Sequence, residues 1–399
     1  MKQMTNRAVF AAVAVFVTVG AAYAVPLVTD VVMTQRAGSR IVDITYELAD
    51  EAAIVTLGIE TNGVAIPDSA VTRLTGDVCK KVEAGSRSIT WNAGADWPEN
   101  LTVVAKAKVT AWSVDAPPQV MVIDLRGGSS ASSYPVNYYV STAALPYGGV
   151  TNSTYKDTRL VMRKISAGAF TMGETTGTKE VTLTQDFYAG VFQVTQGQWN
   201  KVMGTDPSSF KDTFNPVNKV AYHDVRENPA GDGSAITPNW PQSSEVYADS
   251  FMGKLRDRTG LTTFDLPTDA QWEYACRAET ISYYSDGFST DADTNVLNEL
   301  GWWSGNSGKK ACWVGQKKSN DWGLYDMHGN VWEWCLDWYA SSLTGGVNPK
   351  GAESGSDRVV RGGSWYYDPA SFCRSAFRFK YSPSYRYYSV GFRLVRTLP

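Results

Sequence analysis

Gly323-Leu324-Tyr325-Asp326-Met327-His328-Gly329-Asn330-Val331-Trp332-Glu333-Trp334 sets three Trp and Tyr side chains, two glycines and three oxygen-bearing side chains into twelve residues. Arg361-Gly362-Gly363-Ser364-Trp365 follows a little further on. Apolar rings at that density do not suit a solvated loop. They describe a packed corner, and the rest of the chain is read outward from it.

Upstream, Gly168-Ala169-Phe170-Thr171-Met172-Gly173-Glu174 reads as a strand and turn. In Phe264 to Ala278, Thr268 is a good N-cap and Gln271, three residues on, completes a capping box, which predicts a helix from about Asp269. Trp272 and Ala275 then share one face, as a core-facing helix requires.

From about Met162 to the C-terminus these motifs resemble the formylglycine-generating enzyme family, also called the sulfatase-modifying-factor domain, whose strongest signatures are the corner and the Arg-Gly-Gly-Ser-Trp segment. The resemblance implies an α+β, C-type-lectin-like domain, loop-rich, assigned here to residues 156–399, with its first helix over Val194 to Gly204 and its second entered at Val220-Ala221-Tyr222-His223-Asp224, after Asn215-Pro216-Val217. A loop-rich domain needs other fasteners, and the fourteen tryptophans read as its core.

Ahead of it, Val42, Ile44, Tyr46 and Leu48 alternate with Asp43, Thr45 and Glu47, the period of a half-buried strand. Val55, Leu57 and Ile59 repeat the pattern, as do Val103, Ala105, Ala107 and Val109, with turn-rich pieces between. Residues 25–114 therefore read as an all-β sandwich of immunoglobulin or fibronectin type, a spacer or adhesive module that carries no chemistry of its own. Residues 115–155, with Pro117-Pro118, Gly127-Gly128-Ser129-Ser130 and Gly148-Gly149, read as a linker holding one strand around Val120-Met121-Val122-Ile123.

Lys2 and Arg7, the apolar run Ala8 to Ala22 and the small-x-small site Ala22-Tyr23-Ala24 have the form of a signal peptide over residues 1–24. The run falls short of the ~20 residues a spanning helix needs, and no later segment is apolar enough to span. The expectation is an exported protein, periplasmic, at the cell surface or secreted. A net charge of −3 carries no excess that would draw nucleic acid.

Two histidines, His223 and His328, cannot build a multi-histidine metal site, which excludes the iron-dependent sulfoxide synthases that share the domain. His328, inside the corner, reads as a hydrogen-bonding packing residue. The family resemblance implies a structural calcium at the corner, with side-chain oxygens from Asp326 and Glu333 and main-chain carbonyls from Gly329 and Val331. It also implies copper(I) between two thiolates after the Gly-Gly-Ser segment in the oxidases themselves. Here the first of those positions is Tyr367, and only Cys373, offset by one, remains for the second. A phenol does not replace a thiolate, so no catalytic residue is expected. Copper and Cys373 belong to an oxidase alternative acting on a protein cysteine. Because the family packs their segments together, Cys335 and Cys373 are instead candidates for a disulfide.

The last forty residues carry a second pattern. Tyr366, Tyr367, Asp368, Ser371, Phe372, Phe377, Phe379, Tyr381, Ser384, Tyr385, Tyr387, Tyr388 and Ser389 alternate with a frame of Cys373-Arg374-Ser375-Ala376, Arg378, Pro383, Arg386 and Val390-Gly391-Phe392-Arg393. This resembles the variable region of diversity-generating-retroelement proteins, built on the same lectin-like fold, where adenine mutation turns asparagine codons into Tyr, Ser, Asp or Phe. Tyr gives large rigid contact area at low entropic cost, and Ser and Asp give adaptable hydrogen bonds. The sequence therefore points to an exported binder of an unknown protein or surface ligand. A structural surface protein without a specific ligand is the remaining alternative.

Overall fold

The structure is a computed structural model that describes residues 26–99, 102, 104–228, 237–366 and 369–399. The proposed signal peptide lies outside the described residues, as do Tyr367 and Asp368.

The N-terminal part is a sandwich of two antiparallel sheets. One orders Leu74–Gly76, Gly85–Asn92, Ile41–Ala49 and Leu27–Gln35, and the other is built on Ala53–Thr61, which pairs with Ala105–Trp112 on one edge and with Val64–Ala65 and Lys81–Val82 on the other. The alternation read from the sequence is the burial pattern. Val42, Ile44, Tyr46 and Leu48 meet Val55, Leu57, Ile59 and Trp91 between the sheets, while Asp43 and Glu47 face outward.

The second part is α+β. A six-stranded sheet runs in the order Val136–Tyr139, Val120–Asp124, Arg159–Ile165, Phe187–Gly190, Val395–Thr397, Phe264–Asp265. Here the structure corrects the reading of residues 115–155 as a linker with one strand. The segment supplies two strands, and Val120–Asp124 pairs with Arg159–Ile165 over five residues, from Arg159 opposite Asp124 to Arg163 opposite Val120. The physical reason is burial. Met121, Ile123 and Leu125 enter the main core with Met162, Trp199 and Phe392, an apolar gain that turn-forming residues on either side conceal.

Ile54 of the sandwich joins that same core, and the Tyr138 amide donates to the Cys79 carbonyl at 2.7 Å. The sandwich is thus docked on the sheet and does not hang from a tether.

Helices start where side chains can cap them. Gln196–Met203 begins at Thr195, whose hydroxyl accepts from Gln198 N, and ends at Gly204 in the left-handed conformation. Asp269–Arg277 begins at Thr268 with the Gln271 capping box complete. The expected second helix is one turn, Tyr222–Val225.

A four-stranded sheet, in the order Arg378–Tyr381, Arg358–Arg361, Trp332–Trp338, Val390–Gly391, takes in the end of the first signature segment, from Trp332, and the start of the second, at Arg361. On one side it packs against the helix Asp269–Arg277 through a buried ionic cluster. Arg361 bridges Asp269 and Glu273, Arg378 meets the other Asp269 oxygen at 2.7 Å, and Arg277 meets Glu273 at 2.9 Å. Its other side bears aromatic rings.

Candidate functional site

Strand alternation sorts the last forty residues. In Arg378–Tyr381, Arg378 points to Asp269 and the helix, so Phe379 and Tyr381 point the opposite way, on the same face as Trp332 and Trp334, which reach them across the intervening strand Arg358–Arg361. Phe372 and Phe377 stack at 4.3 Å between ring centroids, and both lie against Trp332. From Phe379 the rings continue in contact: Tyr381 at 5.3 Å, then Tyr385 stacked on it at 4.5 Å, then Tyr387 at 5.4 Å and Tyr388 at 3.9 Å from Tyr387. Tyr366 closes on Tyr388 at 4.6 Å, and Trp365 lies against both.

Most of these rings are half-buried, with one face on the core and one outward, and Phe379 is 38% exposed. The Tyr387 and Tyr388 hydroxyls lie 2.5 Å apart. Ser371 and Ser384 are partly accessible at the margins. Ser389 departs from its expected place: it is 2% exposed, and its carbonyl accepts from the Trp332 amide, so it belongs to the frame.

Phe210 extends the row and was not legible as a member. It is 46% exposed, edge-on to Trp365 at 5.9 Å, and comes from the loop after the first helix with no periodicity to flag it. Two clefts lie elsewhere, one of about 460 Å³ lined in part by Leu183, Trp240, Leu266 and Leu336, and one of about 740 Å³ lined in part by Arg73, Asp124, Arg126 and Arg159. The row of rings lines neither of them, and it forms a surface.

Behind this face lies the corner. Asp326 and Asn330 take positive φ of 58° and 63°, and Gly329 takes 117°. A Cβ on Gly329 would stand 2.2 Å from the Trp302 carbonyl, so glycine is what lets the two backbones touch. Next to it, His328 Nδ1 lies 2.7 Å from the Cys373 carbonyl and Nε2 accepts from the Ser285 amide at 3.1 Å. That assigns the proton to Nδ1. Burial holds the imidazole neutral, down to about 4.

The four residues expected around calcium converge, but Asp326 does so through its main-chain carbonyl and not the expected side-chain oxygen, its Oδ2 accepting instead from the Gly315 amide at 2.7 Å. The carbonyls of Asp326, Gly329 and Val331 and Oε1 of Glu333 point at one place, as a hard cation would require. Two more oxygens, Asp326 Oδ1 and Gln193 Oε1, are buried without a hydrogen-bond partner. This is an oxygen set of the kind calcium takes, but the Gln193 amide nitrogen already stands within it. Gln193 was missed in the sequence, since nothing local ties it to residues more than 130 positions later. Glu333 is further held by Arg393, with Nη2 to Oε1 at 2.8 Å and Nε to Oε2 at 3.0 Å, and by Trp272 Nε1 at 2.8 Å.

The cysteines correct a second expectation. Cys335 and Cys373 are thiols with no disulfide between them, because they occupy different cores. Cys335 packs with Trp272, Cys276 and Val359, and Cys373 with Tyr284, Leu297 and Ala370. Both are fully buried. Burial pushes the Cys335 thiol far above its ordinary range, the opposite of what a metal-binding or nucleophilic thiolate needs.

Among the described residues no helix is long and apolar enough to cross a membrane. The domain family described as sulfatase-modifying factor enzyme 1-like matches residues 149–398. Chaperone protein LppX of Paenibacillus barcinonensis is 32% identical over 241 residues, which cover 54% of this chain and 80% of that one. The formylglycine-generating enzyme of Mus musculus is 27% identical over 318 residues, covering 67% and 83%. Among solved structures, Treponema denticola variable protein 1 aligns with a TM-score of 0.47 at 30% identity, over 61% of this chain and 96% of that one. With a family match spanning well over half of its length, the chain belongs to the sulfatase-modifying factor enzyme 1-like family.

Proposed function

We propose that this is an exported binding protein whose ligand docks on the aromatic face running from Phe372 to Tyr388. The observation that carries the reading is the unbroken contact of rings, each half-seated on the core and half-presented outward, across a sheet braced by buried ion pairs. Amphipathic rings already fixed in place lose little entropy on binding. A surface of this shape suits a protein partner better than a small molecule, which prefers a concave pocket.

The alternation of these rings with a framework of ion-paired arginines and of buried Ser375, Pro383 and Ser389 supports a further step: the outward positions are those where adenine-directed codon change would alter the ligand without disturbing the fold. The oxygen cage of Asp326, Gly329, Val331 and Glu333 lies behind the face and, on this reading, takes no part in ligand contact. The oxidase alternative would need Cys373 to leave a fully buried site, and no observation favours it.

Two measurements test the reading. Codons for Trp365 to Arg393 are sequenced deeply across a population of the source organism. Adenine-specific variation confined to the outward positions, with a near-identical template repeat nearby, is the expected result, and invariant codons without a template defeat diversification. For binding itself, a triple change of Tyr385, Tyr387 and Tyr388 to Ala in the folded protein is expected to abolish retention on partner-bearing cells. Unchanged retention defeats the face.

A further inference from the structure

Gln193 Nε2 stands among the four converging oxygens, 2.9 Å from Glu333 Oε1, 3.0 Å from the Val331 carbonyl, 3.1 Å from Gly329 and 3.3 Å from Asp326. An amide has two hydrogens to offer. Four acceptors turned on one nitrogen are a cation's coordination pattern filled by a neutral group. The side chain is 0% exposed, and nothing short of a different rotamer would let another atom into that space.

We propose that in this chain the Gln193 amide takes the place of the cation, holding the corner in shape without metal. The inference rests on the same oxygen cage as the calcium reading and changes its occupant. Charge agrees with it. Arg393 grips both Glu333 oxygens, so the cage carries no net negative charge from Glu333 that a divalent ion would have to offset. Geometry agrees as well. The oxygens stand at 2.9–3.3 Å from the nitrogen, the spacing of N–H donors. What the amide leaves unsatisfied, Asp326 Oδ1 and its own Oε1, marks the two oxygens that would turn inward if a cation displaced it.

The test removes the occupant. The full chain and its Gln193→Ala and Gln193→Glu variants are melted in EDTA and in millimolar calcium chloride, and calcium binding is followed by titration calorimetry. Expected is a wild-type melting temperature that does not move between the two buffers and no binding heat at micromolar calcium. Gln193→Ala melts at least 5 °C lower in EDTA, and calcium restores it while binding with a stoichiometry of one. Gln193→Glu, which adds a carboxylate to the cage, binds calcium at least tenfold more tightly than Gln193→Ala and covers the case in which the alanine variant does not fold.

Wild-type protein that takes up one calcium as tightly as the variants, with an equal gain in melting temperature, overturns the substitution and leaves the calcium cage standing. Variants that are destabilised alike in both buffers, with no binding heat, overturn the cation cage and the proposal with it. A Gln193→Ala melting temperature equal to wild type in EDTA overturns the claim that the amide holds the corner.

Discussion

Arg386 and Asp224 face each other through two parallel hydrogen bonds, Nε to Oδ2 at 2.8 Å and Nη2 to Oδ1 at 2.7 Å. Asp224 Oδ2 also accepts from the Ala221 amide at 2.7 Å, so the pair ties the tyrosine-bearing turn to the start of the helix Tyr222–Val225. Tyr385 and Tyr387 flank the arginine. The Arg386 side chain is 42% exposed, and solvent screening leaves the pair little weight in overall stability.

Arg386→Ala is therefore expected to change unfolding free energy by less than about 1 kcal/mol in urea titration. Its larger effect should fall on the face, because a loosened turn must be ordered again on binding. Dissociation from the partner should quicken by roughly fivefold or more, about one rotamer-rich side chain's worth of ordering cost. An unchanged off-rate with intact folding would mean that the turn is held by its stacked rings alone.

Arg361 is the opposite case, with 0% exposure and Asp269 and Glu273 as partners. Arg361→Ala leaves two carboxylates in the core without their shared cation, a loss of about 3–5 kcal/mol. Urea unfolding reads this directly. A loss below about 1 kcal/mol would show that Arg277 and Arg378 suffice to neutralise the helix.

Asp337 supplies a pH dependence. Its carboxyl is buried beside Asp269, and burial first, then that neighbouring charge, push it up to about 7. A carboxyl raised above its unfolded value near 4 holds a proton in the folded state that the unfolded chain has released, so its stabilising contribution is present at low pH and is lost as pH rises through about 7. Asp337→Asn removes the titration. Relative to wild type, the variant should gain on the order of 2 kcal/mol between pH 5 and pH 8. Parallel stability curves for the two proteins would discard this account.

Thr268 accepts from Gln271 N at 3.0 Å, and the Gln271 side chain accepts from Thr268 N at 3.0 Å. Thr268→Ala removes the first of these bonds at the start of the helix that carries Trp272. A loss of about 1 kcal/mol in chemical unfolding is expected, and no loss would mean that tertiary packing alone sets the helix start.

The sequence by itself determined what depends on neighbours a few residues apart. The cap at Thr268, the alternating faces of Ile41–Ala49, the packed corner around Asp326 to Trp334 and the aromatic composition of the last forty residues are all local, and each was legible. The signature segments added the family, because a dense set of rings and glycines fits few folds.

Only the tertiary structure decided which distant groups meet. Gln193 enters a cage whose other members lie 133 to 140 residues further on, and Phe210 joins a row of rings more than 150 positions away. Val120–Asp124 finds its place in the sheet, Ser389 turns inward, and Cys335 and Cys373 settle in separate cores. The physical reason is shared. Hydrogen bonds within a cap are specified by two or three residues, whereas burial is settled only when the whole chain has closed and each apolar group has competed for the same interior.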